Sequence, residues 1–193
     1  MATLKEISAA VKIIERNACP SLTLFHCVSA YPAPESQLNL NAIKTLEQEF
    51  HLPVGYSDHS AGIEAAVYAA ALGATVIEKH VTLDKDLEGP DHKASINFSE
   101  LRELMNRLSL LSSMCGSGSI HPQNCEVANR KLFRRGLYYN KNLNKHHTLQ
   151  ISDIDIKRPA PDLLPSDLES ILNKPLEKKV LRGESVKLSD FNE

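Results

Sequence analysis

Strand-length apolar runs alternate with helix-length segments through the first half of the chain, and this order restricts the fold more than any other feature. Parallel strands need a crossover connection, usually a helix. The order therefore predicts an α/β fold with a parallel sheet. In chain order the predicted elements are a helix over residues 4–16, a strand over 22–28, a helix over 38–50, a strand over 54–57, a helix over 62–72, a strand over 75–80 and a helix over 99–111.

Two local features of these elements can be predicted more closely. The first strand is apolar almost throughout, which is typical of a strand buried on both faces. Ser99 is predicted to cap the last helix, with Glu103 supporting its first turn.

Each predicted strand ends in polar side chains capable of chemistry. These ends are residues 26–31, 57–60 and 78–80. In parallel α/β sheets the functional residues lie at the carboxyl ends of the strands, where loops meet the following helices. We therefore expect the three strand ends to form three walls of one pocket.

The alternation of side chains along a strand makes two histidines converge. Ser57 shares a face with His59, and Glu78 shares a face with His80, while the residue between each pair points the other way. If the two strands are neighbours, His59 and His80 meet at the strand ends. Two neutral imidazoles near a carboxylate suit a divalent cation, and Glu78 would then be a general acid or base.

Each of these residues also has an ordinary structural interpretation, and the residues alone leave both open. A single histidine after a strand is more often a satisfied polar residue than a ligand. Residues 58–60 have the composition of a helix N-cap. Three other polar groups are predicted to be solvent-exposed: the turn at 91–93, the pair His146 and His147, and the pair Lys157 and Arg158.

Composition excludes several classes of partner. The formal net charge is −2, Trp is absent, and Phe and Tyr number five each, so neither nucleic acid nor an anionic membrane is expected as a partner. No stretch approaches 18 consecutive apolar residues, and the first residues lack the cationic and apolar blocks of a secretory signal. A cytoplasmic protein is therefore expected.

The four cysteines show no C-x-x-C spacing and are interpreted as free thiols in a reducing compartment. Cys115 and Cys125, with His121 between them, are a weaker alternative as metal ligands, because their spacing does not match structural zinc patterns.

The second half of the chain is predicted to be a separate, β-rich domain. Residues 113–124 are rich in Ser and Gly and are interpreted as a linker between domains over 1–112 and 125–193. The segments 148–154 (TLQISDI) and 185–191 (SVKLSDF) repeat the order hydroxyl, aliphatic, any residue, aliphatic, Ser, Asp, apolar. The repeat predicts a small pseudo-symmetric domain.

Four segments of the chain carry a family resemblance: LFHCVSAYPAP (24–34), the segment 52–84, GPDHKAS (89–95) and DIDIKRP (153–159). In this order they resemble the sialic acid synthase family, whose members condense phosphoenolpyruvate with an N-acetylhexosamine. The resemblance implies that the first domain is the C-terminal part, about three βα units, of a (β/α)8 TIM barrel, and that the second is an antifreeze-like SAF domain of the β-clip type. In the dimeric synthases this domain caps the partner subunit's barrel.

The resemblance also implies roles for individual residues. His59 and His80 correspond to ligands of a divalent metal, typically manganese, with magnesium as the alternative. Glu78 corresponds to an acid–base carboxylate, and His80 is counted with it as catalytic. The implied substrate contacts are Ser29 and Ser57 to the phosphate of phosphoenolpyruvate, Tyr31 and Asp91 to the acceptor sugar, and Arg158 to its N-acetyl group. At the position of Ser29 some members have Asn.

Length is where the chain departs from the family. A closed barrel needs roughly 250 residues, whereas about 115 precede the linker here. We therefore expect a portion of a synthase that is inactive alone and works as a homodimer or with a complementing N-terminal half. The alternatives are a non-catalytic degenerate product and a binding module that docks through its SAF domain.

Overall fold

A computed structural model describes residues 1–17 and 20–191 and divides the chain into two compact units, Met1–Gly118 and Ser119–Glu193. The first unit contains a parallel sheet in the order β1-β2-β3, so the predicted alternation is confirmed as a mixed α/β fold. Its elements are α1 (Leu4–Arg16), β1 (Leu24–Cys27), α2 (Ala42–Phe50), β2 (Val54–Asp58), α3 (Glu64–Ala71), β3 (Val76–Lys79) and α4 (Phe98–Cys115).

The helices bury their apolar faces against this sheet. Ile43 and Leu46 of α2 pack with Val54 and Tyr56 of β2, and Leu104 of α4 belongs to a second buried cluster. None of the helices in the described part of the chain has the length and apolar character needed to span a membrane.

The prediction that the first strand is buried on both faces is wrong. Every residue of β2 is buried, but Phe25 of β1 and Val76 of β3 are 41% and 45% exposed. β1 and β3 are the edges of this sheet and each has one neighbouring strand, so their side chains are covered less completely than those of the central strand.

The last helix of the first unit begins and ends outside its predicted bounds. Asn97, not Ser99, is the N-cap: its side chain accepts hydrogen bonds from the Ser99 and Glu100 amides at 3.0 and 2.9 Å. Glu100 completes the capping box by accepting from the Asn97 amide at 2.8 Å. At its other end α4 extends to Cys115, into the segment predicted as linker.

The second unit contains an antiparallel pair of strands and two short helices. These elements are α5 (Val127–Phe133), β4 (Gly136–Tyr139), β5 (Ile154–Lys157) and α6 (Leu168–Ile171). The unit has its own core, with Leu137, Tyr139, Leu149, Leu176 and Val186 among its buried members.

Equivalent backbone hydrogen bonds confirm the predicted pseudo-symmetry of this unit. Leu143 and Val180 exchange both of their backbone bonds at 3.0 Å each. Around this pair, the Tyr139 amide donates to the Glu184 carbonyl and the Leu176 amide to the His147 carbonyl, both at 3.0 Å. These bonds relate the segments that precede the two copies of the repeat by a pseudo-twofold axis.

Each copy of the repeat has a buried carboxylate at its penultimate residue. Asp153 and Asp190 are 1% and 2% exposed, and each accepts a hydrogen bond at 2.9 Å from the backbone amide three residues before it. His147 donates to Asp153 across 2.7 Å and is half-buried. The prediction that both histidines are exposed is therefore wrong for His147, whereas His146 is exposed.

We expect Asp153 to make the second unit sensitive to acid. Burial would raise the pKa of Asp153, but hydrogen bonds from Lys141, His147 and the Gln150 amide outweigh it and lower the pKa from 3.8 to about 2. A depressed carboxyl pKa stabilises the fold above the unfolded value, and this stabilisation is lost as pH falls from about 4 towards 2. In urea unfolding experiments, the free energy of unfolding of the wild type should fall by about 2 kcal/mol over that pH range because of Asp153.

The variant Asp153→Asn should lack this part of the pH dependence. Asp155→Asn is the matched control, because the Asp155 carboxylate is 38% exposed and pairs with Lys157 at the surface, where solvent screens the interaction. An Asp153→Asn variant whose unfolding free energy falls with pH as steeply as that of the wild type would contradict the assignment.

Candidate functional site at the carboxyl ends of the strands

His59 and His80 lie side by side where β2 and β3 end. The last residues of the two strands, Asp58 and Lys79, are register partners, so the next residue of each strand faces the other across the sheet edge. The two ring centroids are 5.2 Å apart, with the ring planes at 81°. His59 is 6% exposed, whereas the His80 side chain is 33% exposed.

The hydrogen bond of His59 determines which of its ring nitrogens can bind a ligand. Nδ1 lies 2.9 Å from the backbone carbonyl oxygen of Val28. A carbonyl oxygen only accepts, so Nδ1 is assigned as the protonated nitrogen and Nε2 keeps its lone pair. Histidine ligands of metals are commonly oriented in this way, with the second nitrogen donating to a backbone carbonyl.

The spacing of the two rings fits a shared cation. Two imidazoles that bind one ion at a metal–nitrogen distance of about 2.1 Å have ring centres roughly 5 Å apart. The described residues contain no group of three or more His, Cys, Asp or Glu side chains placed to hold a metal. His59 and His80 would therefore supply two ligands, and water or substrate would supply the others.

Tyr31 covers the imidazole pair. Its ring centroid is 4.2 Å from that of His59 and 5.7 Å from that of His80. Tyr31 is 45% exposed, so its ring contacts the histidines while part of the residue remains accessible. A ligand that approaches the imidazoles from this side would contact Tyr31.

Ser57 and Glu78 form a hydrogen bond on the histidine face of the sheet. The Ser57 hydroxyl donates to Glu78 Oε1 at 2.6 Å, and the two residues are register partners. Ser57 is buried and Glu78 is exposed, so the serine holds a carboxylate that solvent can reach. Ser57, which was predicted to contact a phosphate group, is therefore hydrogen-bonded to Glu78, the predicted acid–base residue.

Ser29 reaches the site through Cys27. Its hydroxyl lies 3.9 Å from Cys27 Sγ, which in turn lies 3.7 Å from His59 Nδ1. Ser29 is exposed and lines a cleft of about 530 Å³ with Leu4, His26, Gln37 and Asn41 among the other lining residues. Sequence reasoning did not single out Cys27, and a lone cysteine in an apolar run gives no signal.

The turn that carries Asp91 is tied to the rest of the first unit. Asp91 Oδ2 is 3.9 Å from His80 Nδ1, and His92 Nδ1 lies 2.8 Å from the Thr82 hydroxyl. His92 is half-buried. The interpretation of residues 91–93 as a purely solvated loop is therefore wrong for His92, although Asp91 and Lys93 are exposed.

Arg158 belongs to the second unit, where it is exposed and precedes a cis peptide bond to Pro159. The predicted contact of Arg158 with a sugar stays a prediction. Three cysteines are free thiols: Cys27, Cys115 and Cys125. Cys19 lies outside the described residues.

A buried ion pair on the opposite face of the sheet escaped the sequence analysis. Lys79 Nζ lies 3.0 Å from Asp58 Oδ2, with the two side chains 3% and 0% exposed. Burial lowers the pKa of Lys79, and the Asp58 carboxylate offsets part of that shift. Strand alternation places both residues on the face opposite the histidines. The signal available in the sequence was a pair of opposite charges, one at the end of each predicted strand.

The N-cap interpretation of residues 58–60 is also wrong. α3 begins at Glu64, and its N-cap residue, Ile63, makes no side-chain capping bond. Asp58 instead accepts hydrogen bonds from the amide and hydroxyl of Ser60 at 2.8 and 2.7 Å, which fixes the loop directly after His59.

Together, these features define the class of the chain: a parallel α/β unit with two histidines at adjacent strand ends, which form a candidate site, and a second, β-rich unit. The sequence profile of the NeuB family matches residues 1–120, and that of the SAF domain matches residues 134–192. The chain belongs to the NeuB family.

Relatives of known name are synthases. The N,N'-diacetyllegionaminic acid synthase of Campylobacter jejuni is 37% identical over 189 residues, which are 97% of this chain and 57% of that protein. The chain spans about half the length of the curated relatives it matches.

Two solved structures resemble the chain in fold. The spore coat polysaccharide biosynthesis protein E of Chromobacterium violaceum matches 100% of this chain and 58% of its own, with a TM-score of 0.83 and 26% identity. The N-acetylneuraminic acid (sialic acid) synthetase of Leptospira borgpetersenii, solved with citrate, matches 67% of this chain and 45% of its own, with a TM-score of 0.63 and 41% identity.

Proposed function

We propose that this chain is the portion of a nonulosonic acid synthase that carries the metal-binding strand ends. The complete enzyme would condense phosphoenolpyruvate with an N-acetylated hexosamine, N-acetylmannosamine or a close relative, and release phosphate. The observation that carries the proposal is the imidazole pair, with ring centroids 5.2 Å apart. Glu78 lies two residues before His80, on the same face by strand alternation. Relatives named for N-acetylated nonulosonic acids support the choice of acceptor.

His59 and His80 are proposed to hold a divalent cation. Manganese is favoured over magnesium, because imidazole suits transition metals whereas magnesium prefers oxygen ligands. When bound, such an ion supplies Lewis-acid polarisation of the acceptor's carbonyl group.

Glu78 is proposed to exchange the proton of the reaction. The Ser57 hydroxyl occupies Oε1, so proton transfer is assigned to Oε2. As C3 of phosphoenolpyruvate forms the new carbon–carbon bond to the acceptor's carbonyl carbon, the carbonyl oxygen takes a proton from Glu78. Water then adds to C2 and gives one proton back to the Glu78 carboxylate. Phosphate leaves with cleavage of its bond to C2 and takes the proton of the new C2 hydroxyl, so that C2 becomes a carbonyl carbon.

The remaining predicted residues are proposed to bind substrate. Ser29 would approach the phosphate, and Tyr31 and Asp91 would line the acceptor pocket next to the histidines. Arg158 would reach the N-acetyl group from the SAF domain, which we propose caps a second copy of the synthase in a homodimer. The three βα units of the first domain are proposed to be part of a (β/α)8 barrel.

Manganese titration followed by electron paramagnetic resonance tests the proposal. One Mn²⁺ ion should bind per chain, and Mg²⁺ should displace it only in large excess, because two of its ligands are imidazoles. A chain that binds no manganese would contradict the proposed metal site. In the same preparation, phosphoenolpyruvate and N-acetylmannosamine should not yield phosphate, and rapid manganese-dependent release would contradict the expectation of a portion that is inactive alone.

A further inference from the structure

The ion pair between Asp58 and Lys79 lies directly behind the imidazole pair. Both charged groups are buried, and each residue immediately precedes one of the histidines in the sequence. The pair therefore joins the ends of β2 and β3 at the last register position before His59 and His80.

Hydrogen bonds connect both members of this pair to Ser60, the residue directly after His59. Asp58 Oδ1 accepts from the Ser60 amide at 2.8 Å and from its hydroxyl at 2.7 Å. Lys79 Nζ donates to the Ser60 carbonyl oxygen. The residues before and after His59 are thus held together, and the carbonyl of His59 itself accepts from the Ala33 amide at 2.9 Å.

Stability alone does not explain such a pair. Removing two charges from water costs several kcal/mol per ion, and replacing a buried ion pair by well-packed apolar residues is often neutral or stabilising. What the pair adds here is geometry, because its two members lie on adjacent strands and its hydrogen bonds fix the loop that aims His59.

We propose that Asp58 and Lys79 are positioning residues that hold the two imidazoles at the separation a divalent cation needs. They act through the backbone of the strand ends and touch neither cation nor substrate. This inference rests on the proposed metal function of His59 and His80. Outer residues that orient metal ligands typically change metal affinity 10–100-fold when they are replaced.

The double variant Asp58→Asn/Lys79→Met tests the proposal, because it removes both charges and leaves no unpaired buried ion. We expect a folded chain whose Kd for Mn²⁺ is raised about 10–100-fold. Lys85→Met/Glu100→Gln is the matched control: it removes an ion pair of 2.6 Å whose side chains are 37% and 29% exposed. The control should bind Mn²⁺ as the wild type does.

A metal-free measurement separates this inference from the metal proposal. In a chain labelled with ¹⁵N-histidine, the wild type should show His59 protonated at Nδ1, as its bond to the Val28 carbonyl requires. The double variant should shift or broaden the ring signals of His59 and His80, and the control should not. These signals report positioning even if the wild type binds no manganese, an outcome that would overturn the metal proposal alone.

Unchanged ring signals and an unchanged Kd in a folded double variant would overturn the inference. Should the double variant fail to fold, Ser60→Ala provides the second test. It leaves both charges in place and removes one hydrogen bond of 2.7 Å to Asp58. We expect it to shift the His59 ring signal and to raise the Kd by a smaller factor of about three, and a wild-type spectrum would count against the proposal.

Discussion

Replacing Lys79 by methionine is expected to lower the free energy of unfolding of the first unit by about 3–5 kcal/mol. The Asp58 carboxylate is fully buried and Lys79 is its cationic partner, 3.0 Å away. Without the lysine, a charge remains in the interior with no opposite charge beside it. Urea unfolding followed by circular dichroism at 222 nm measures the loss, because helices α1–α4 belong to this unit.

Two comparisons separate the unpaired charge from a general packing effect. Adding Asp58→Asn to Lys79→Met should recover most of the lost stability, because the remaining buried charge is then removed. Lys85→Met should lower the free energy of unfolding by less than about 1 kcal/mol, because its pair with Glu100 is partly exposed. Equal losses in Lys79→Met and Lys85→Met would refute the buried-charge argument.

Removing either imidazole is expected to weaken manganese binding at least 100-fold, to the level of a single surface histidine. With two histidines as the protein ligands, His59→Ala or His80→Ala leaves one ligand, and a single imidazole holds a divalent cation poorly in water. Titration by electron paramagnetic resonance measures the change. His121→Ala is the control, since His121 is exposed in the second unit, and its binding should match that of the wild type.

The two alanine variants should differ in stability. His59 is 6% exposed, so His59→Ala creates a cavity. It also removes one of the two hydrogen bonds accepted by the Val28 carbonyl oxygen, the other of which comes from the Ala30 amide at 3.0 Å. The side chain of His80 is 33% exposed, so its removal should leave the thermal midpoint close to that of the wild type. If both variants retain wild-type affinity for manganese, His59 and His80 are not its ligands.

Element order and the faces of β2 and β3 were accessible from the sequence because both follow from short-range periodicity. Alternation along 57–60 and 78–80 puts Ser57, His59, Glu78 and His80 on one face whatever the rest of the chain does. The helix bounds were less accessible. The N-cap of α4 is Asn97, not Ser99. Both residue types can cap a helix, and the conformation of the preceding turn determines which of the two does so.

Neither the partial exposure of the outer strands nor the hydrogen-bond partner of Ser57 could be predicted from short-range periodicity. The run 22–28 is apolar enough for a fully buried strand, but β1 is an edge of this sheet, and Phe25 is therefore partly exposed. Ser57 donates to Glu78 because the parallel register makes the two residues partners, and register depends on long-range pairing.

By itself, the sequence determined the α/β order, the internal repeat of the second domain and the residue types at the three strand ends, because each depends on local spacing. Tertiary structure alone decided which of those residues meet. It placed the ring centroids of His59 and His80 5.2 Å apart and oriented His59 Nδ1 towards the Val28 carbonyl. It also brought Asp58 and Lys79 together as a buried ion pair in the first unit. Each of these contacts joins segments distant in the chain, so each exists only once packing has brought the strands into register.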